Sequence, residues 1–221
     1  MSRALRTRPI DPVVLAGRWV RLEPVELGHV GALAAAAAED RDTYGWTPVP
    51  NGEAEFTANV ELVLAERAAG RRLAFATISL GESGGRLVGE RLLGERVVGS
   101  TSYLDPQRWP GGGGRLDSVE IGATWLAASA QRTPINREAK LLMLAHAFDV
   151  LGVHRVVLNT DARNERSRAA IAGIGATFEG VLHGFRYGVE GTPRDTATFA
   201  ITAPNWPDVR ERLEARLSRG A

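Results

Sequence analysis

The chain has 221 residues, of which 44% are hydrophobic and 24% charged, with 27 basic against 26 acidic side chains. That is the composition of a folded domain with a sizeable core. A net charge of +1 gives no basic field for nucleic acid or an anionic membrane. The lack of cysteine excludes disulfides and thiolate metal sites and permits a reducing compartment. No apolar run approaches the roughly 20 residues of a spanning helix.

In chain order, residues 1–12 carry three arginines with no apolar run behind them and read as a flexible arm. Residues 13–221 read as a single domain. A short strand is expected near Trp19–Pro24, then an alanine-rich amphipathic helix over Glu26–Glu39. The prolines and glycines of residues 45–52 make a loop. A second helix follows over Glu53–Ala69, with Phe56, Val60, Val63 and Leu64 at helical spacing. Leu73–Leu80 is rich in apolar and β-branched residues and reads as a strand. A turn at Gly81–Gly85 and a near repeat over Leu87–Gly99 suggest a duplicated hairpin edge. Val97–Leu104 and Val119–Leu126 are further strands. Between them Pro110 and glycines 111–114 make a loop.

Arg137–Leu151 carries an apolar stripe of Leu141, Leu144, Ala145, Phe148 and Leu151, with Gly152 as its C-terminal cap. His154–Thr160 is a strand and Glu165–Ile174 a helix stopped by Gly175. Phe178–Tyr187 and Thr196–Thr202 are strands joined by the turn Gly191–Arg194, and Trp206–Leu217 is a closing helix. The order implies a mixed α/β sheet with helices on both faces. The four histidines, at 29, 146, 154 and 183, show no metal-ligand spacing, so no metal site is expected.

Two segments carry candidate chemistry. The strand ending at Leu126 runs through a polar turn into a helix, and Arg132 to Glu138 stand at that helix start. Its free backbone N–H groups, with Arg132 and Arg137, favour an anion. The second segment, Asn159 to Arg168, leads from a strand into a helix that Asn164 is placed to cap.

These residues carry a resemblance. The stretch from Glu120 to Gly180 resembles the core of the GNAT superfamily of N-acetyltransferases. Within it the chain is similar to the RimJ/RimL-like branch, related to the ribosomal-protein N-terminal alanine and serine acetyltransferases. The likeness extends over about residues 15–217. It includes Arg194-Asp-Thr196 and Asn205-Trp-Pro207 near the end. The family's turn for the coenzyme A pyrophosphate is matched by Gln131 and Arg132, with Pro134 and Asn136 where glycines are usual. The resemblance implies an acyl-CoA N-acyltransferase fold with a central, mostly antiparallel sheet. It implies acetyl-CoA as cosubstrate and no metal, with the cofactor in a gap between the family's fourth and fifth strands. Ile121, Ala123, Trp125 and Leu126 then line the gap. Gln131, Arg132, Thr133, Ile135, Asn136, Arg137 and Glu138 form the pyrophosphate turn, and Asn164 and Ser167 lie along the pantetheine arm.

In many members a tyrosine protonates the leaving thiolate; here Ile171 stands in its place, and the resemblance to the RimL-like branch implies Ser167 as the replacement. Glu120 is the candidate general base, with Asp117 and Glu95 as rivals. Strict alternation puts Trp125 on the face opposite Glu120. The resemblance implies that the first two helices form the acceptor wall, with Tyr44 and Trp46 in a loop between them placed to cover the amine. The implied acceptor is a primary amine, either a protein or peptide N-terminus or a small molecule. The implied enzyme is cytoplasmic, with no membrane or nucleic-acid partner, and a homodimer is an open possibility. A second reading is a catalytically weak acyl-CoA-binding module, supported by Pro134 and Ile171.

Overall fold

A computed structural model describes residues 9–81 and 95–219. Most of the expected arm and the repeat over 87–94 lie outside the described residues. The chain is anchored early, because Ile10 is buried against the core.

Eight strands form one sheet: β1 (Leu15–Ala16), β2 (Val20–Pro24), β3 (Arg72–Ser79), β4 (Arg96–Gln107), β5 (Ser118–Leu126), β6 (Arg155–Asp161), β7 (Thr177–Tyr187) and β8 (Pro193–Thr202). Their spatial order is β1-β2-β3-β4-β5-β6-β8-β7. Every neighbour pair is antiparallel except β5 with β6, which are parallel. The helices are α1 (Val30–Ala37), α2 (Gly52–Ala68), α3 (Pro134–Ala145), α4 (Glu165–Gly173) and α5 (Trp206–Arg219). The expected α/β sheet with helices on both faces is present. α1 and α2 pack on β4 and β3, α3 on β1 and β2, and α4 on β6 and β8.

Local chemistry accounts for the boundaries that differ from expectation. The first helix is shorter than the expected Glu26–Glu39, because a 3-10 turn at Leu27–His29 precedes it and it ends at Ala37. α3 begins three residues earlier than its apolar stripe suggests. Thr133 caps it by accepting from the Ile135 amide, and Pro134 takes the first helical position, where its missing N–H costs no helical bond. The helix then loosens into a π turn at His146–Val150 before Gly152, at φ 67°. Leu144 and Phe148 of the stripe are buried, and Leu141, Ala145 and Leu151 pack partly buried against the core.

One irregularity positions the site. Glu120, Gly122 and Trp125 lie opposite Leu104, Ser102 and Ser100 of β4. β4 advances by twos throughout, whereas β5 takes three steps between Gly122 and Trp125. The extra residue is a β-bulge, and Ala123 within it adopts φ 47°, a left-handed conformation strained for alanine. The bulge corrects the alternation expected from sequence, for Glu120 and Trp125 share one face. Gly99 of β4 is required beside it, since a Cβ there would stand 2.1 Å from the Trp125 carbonyl oxygen.

Candidate active site

β5 and β6 pair over three positions only: Ser118 with Arg155, Val119 with Val156 and Glu120 with Val157. Beyond Glu120 the two strands diverge, and the backbone of residues 121–126 has no strand on its β6 side. The bulged Ala123 is exposed. The gap wall is therefore backbone more than side chain. Ile121 is buried on the α3 side. Trp125 is buried on the other, with Tyr44 edge-on at 5.8 Å and Phe56 tilted at 5.8 Å.

At the far end of the gap the Leu126 carbonyl accepts from Gln131 Nε2 at 2.9 Å and Tyr44 Oη at 3.3 Å. Arg132 follows at φ 62°, exposed, and α3 starts two residues on. Neither Arg132 nor the half-buried Arg137 has an acidic partner among the described residues. Their charge and the positive end of the α3 dipole make this end of the gap a cradle suited to an anion, although Pro134 has no N–H and the Ile135 amide is taken by Thr133. Thr133 also donates to the Ala130 carbonyl at 2.7 Å, Ile135 is buried and Asn136 is half-buried. Glu138 is committed elsewhere. Its carboxylate accepts from the amides of Arg18, Trp19 and Val20 at 2.8, 2.7 and 2.9 Å, which ties the β1–β2 turn to α3. Only its backbone remains near the cradle.

Across the gap, Asn164 is buried and caps α4 by accepting from the Ser167 amide at 3.0 Å. Ser167 is half-buried and one turn before Ile171, which packs against the core. Arg166 spans the mouth: it donates to Gln131 Oε1 at 3.2 Å and to the Thr43 carbonyl at 2.6 Å. Trp46 lies under the Arg163 guanidinium at 4.3 Å, and Arg163 holds Asp161 at 2.8 Å. Those hydrogen bonds hold the Asp161 carboxyl below the usual carboxylate range. The loop carrying Tyr44 and Trp46 is thus stitched to both sides of the gap. Together with Val189 it encloses an open cleft of about 510 Å³.

Glu120 is buried beside the point of divergence. Its Oε2 accepts from Asn159 Nδ2 at 2.8 Å and from Arg186 Nη2 at 2.8 Å, and its Oε1 from Arg186 Nη1 at 3.3 Å. The rivals are engaged elsewhere, Asp117 with the Trp109 amide and Arg115, and exposed Glu95 with Arg21. Sequence reasoning missed Arg186, which comes from β7, 66 positions away from Glu120. It also missed Lys140. This α3 lysine is buried, with Nζ 2.7 Å from Thr124 Oγ1 and 3.1 Å from Thr101 Oγ1, directly behind the bulge. Burial alone lowers its pKa to about 7.

Among the described residues no group of three or more His, Cys, Asp or Glu side chains could hold a metal, and no helix is long and apolar enough to cross a membrane.

The gap, cradle and loop can be set beside known proteins. The family model for the acetyltransferase (GNAT) domain matches residues 20–177. No curated protein gives a significant match. A protein from T. thermophilus proposed to be an acetyltransferase is 34% identical, over 94% of this chain and 98% of that one, with TM-score 0.73. A GCN5-related N-acetyltransferase from Brucella melitensis is 26% identical over 97% and 92%, with TM-score 0.76. RimJ of Mycobacterium smegmatis, solved in complex with CoA-disulfide, is 25% identical over 93% and 95%, with TM-score 0.73. The chain belongs to the GNAT family of acetyltransferases and is an acyltransferase of its RimJ/RimL-like branch.

Proposed function

We propose that the chain transfers the acetyl group of acetyl-CoA to a primary amine, by direct attack within a ternary complex in the cytoplasm. The observation that carries this reading is the divergence of β5 from β6 immediately after Glu120, ending at the arginine-flanked start of α3. The gap is open to an extended pantetheine arm, and the unpaired β5 backbone lies where amides can polarise a thioester carbonyl. Arg132, Arg137 and the first turn of α3 fit a pyrophosphate. Glu120 is the proton acceptor for the incoming ammonium, directly or through one water. Ser167 donates to the departing thiolate; its amide holds the Asn164 cap, which leaves the hydroxyl free for that task. Tyr44 and Trp46 form the roof over the acceptor.

The test is release of free coenzyme A thiol from acetyl-CoA against a panel of peptide α-amines, lysine side chains and small amines. Turnover with an α-amine or a small amine supports the reading. Saturable binding of acetyl-CoA without turnover on any amine would leave a binding module instead. Turnover only on lysines of folded proteins would contradict the acceptor assignment.

A further inference from the structure

Lys140 and the bulge of β5 are joined by a chain of hydrogen bonds that the transfer chemistry above leaves unused. Lys140 Nζ stands 2.7 Å from Thr124 Oγ1 and 3.1 Å from Thr101 Oγ1. The two hydroxyls are 2.8 Å apart, and Thr124 Oγ1 lies 3.4 Å from the Gly122 carbonyl oxygen. Thr124 thus reaches across Ala123, the left-handed residue of the bulge. No carboxylate pairs with the ammonium among the described residues. A methionine would fill the same space without burying a charge, so packing does not account for a lysine here.

Proton counting fixes the direction of the chain. An ammonium only donates, so both threonine oxygens accept from Lys140. Each hydroxyl then has one proton to place, and one of the two serves the contact between them. If Thr124 gave its proton to Thr101, Thr101 would be left with the Met143 thioether at 3.7 Å, a weak acceptor. If Thr101 donates to Thr124, Thr124 donates to the Gly122 carbonyl, and the chain ends on the stronger acceptor. Thr124 Oγ1 sits between β5 and Thr101 of β4, so it draws the Gly122 carbonyl toward β4. The peptide between Gly122 and Ala123 is planar and trans, so its N–H points the opposite way. That is the side on which β5 has lost its partner strand.

We propose that Lys140 is a positioning residue for acyl transfer: through Thr124 it sets the Gly122–Ala123 peptide so that the Ala123 N–H donates to the thioester carbonyl oxygen in the gap. The lysine itself touches neither cosubstrate nor acceptor. A side chain at 140 that does not donate leaves the Thr124 proton free to turn to Thr101, and the peptide is then no longer held. The strained φ of Ala123 and the buried ammonium behind it thereby serve one purpose. This inference rests on the transfer reading.

The test reads the bound thioester before any transfer. Acetyl-CoA isotopically labelled at the thioester carbonyl is bound to the full chain without an acceptor, at pH 6, below the value of about 7 to which burial lowers the lysine. Isotope-edited infrared spectra give the carbonyl stretch, which falls as hydrogen bonding polarises the bond. Wild type should show a stretch below that of acetyl-CoA in water. Lys140→Met and Thr124→Val should each lose most of that shift and lower kcat on an amine by about tenfold or more, the scale of one lost carbonyl donor. Acetyl-CoA affinity should stay within about threefold, because the α3 cradle is untouched. Thr124→Ser keeps the hydroxyl and should keep the shift, and the double variant should lose no more than either single one. A wild-type stretch no lower than in water, a full shift retained in Lys140→Met, a shift lost in Thr124→Ser, or additive losses in the double variant would each overturn the proposal. A carbonyl shift that depends on Lys140, without transfer to any amine, would sink the transfer reading alone. Transfer by wild type with an unmoved carbonyl stretch in Lys140→Met would sink the positioning role alone. No binding of acetyl-CoA would sink both.

Discussion

Lys140 offers the most quantitative test of the site's construction. Its ammonium is enclosed by α3, β4 and β5, with two threonine hydroxyls as hydrogen-bond partners and no carboxylate. Burial lowers its pKa from 10.5 to about 7. Lys140→Met keeps the length and removes the charge. The sign follows from proton counting. Between about 7 and 10.5 the unfolded chain holds a proton that the folded chain does not, so wild-type stability rises with pH across that window. Below about 7 both states are protonated and the full desolvation penalty applies. At about 1.4 kcal/mol for each pH unit, the gap from 10.5 to about 7 amounts to about 5 kcal/mol, an upper bound because the interior relaxes. The methionine leaves no orphan behind it, since Thr101 and Thr124 already bond each other at 2.8 Å.

Urea unfolding at pH 6, 7, 8, 9 and 10 would measure this directly. Lys140→Met should be the more stable protein at pH 6–7, by about 2–5 kcal/mol, and its advantage should shrink toward pH 10. Parallel pH profiles for the two proteins, or a variant less stable at pH 7, would refute the picture of an uncompensated buried ammonium.

Glu138→Gln should lower stability by about 2–3 kcal/mol, because three charge-assisted bonds to the Arg18–Val20 amides weaken and the new amide N–H₂ opposes donors; thermal unfolding reads it. Arg132→Glu should weaken acetyl-CoA binding about tenfold or more, with stability held within about 0.5 kcal/mol because the side chain is exposed; calorimetric titration with acetyl-CoA and urea unfolding separate the two effects. Ser167→Ala should reduce kcat with little change in acetyl-CoA affinity, since Asn164 still caps α4 through the backbone amide; unchanged kcat would assign the serine to the helix surface. Glu120→Gln should cost kcat/KM most at neutral pH and recover in part as the free amine becomes abundant at higher pH; wild-type rates across pH 6–9 would remove Glu120 from the mechanism.

The order of elements was legible because its signals are local. Period-two and period-3.6 patterns separate the strands from the helices, and Thr133-Pro134, Asn164 and Gly152 mark helix ends by their own chemistry. The site was legible only where it is local too, at the α3 start and the α4 cap. What remained hidden depends on contacts made from far along the chain. Alanine is not a residue that announces a left-handed turn, so the bulge at Ala123 leaves no trace in the sequence. It is imposed by the register with β4 and by the room Gly99 leaves. Glu138 and Lys140 look like ordinary polar helix positions. Their burial comes from the β1–β2 turn, roughly 120 positions earlier in the chain for Glu138, and from Thr101 and Thr124 for Lys140. Arg186 reads as one charge on an edge strand until the sheet brings it to Glu120.

The unfavourable features of this fold gather in one place. Ala123 is held at a strained φ, Lys140 is buried behind it without a counter-charge, β5 loses its parallel partner after Glu120, and orphaned hydroxyls line β8. Each costs on the order of 1 kcal/mol or more on general grounds. The compensation lies at their borders. The Leu126 carbonyl is doubly bonded, Glu138 fastens α3 to the β1–β2 turn, and Arg163 ties Asp161 to the Trp46 loop. A chain selected for stability alone would carry valine at Thr198, methionine at Lys140 and a regular β5. Local violations of otherwise consistent packing concentrate where a protein handles a ligand. Here they trace a continuous path from the α3 cradle, along the gap, to Glu120 and the orphaned hydroxyls beyond it. Substitutions that relieve them should therefore raise stability while removing the geometry that binds.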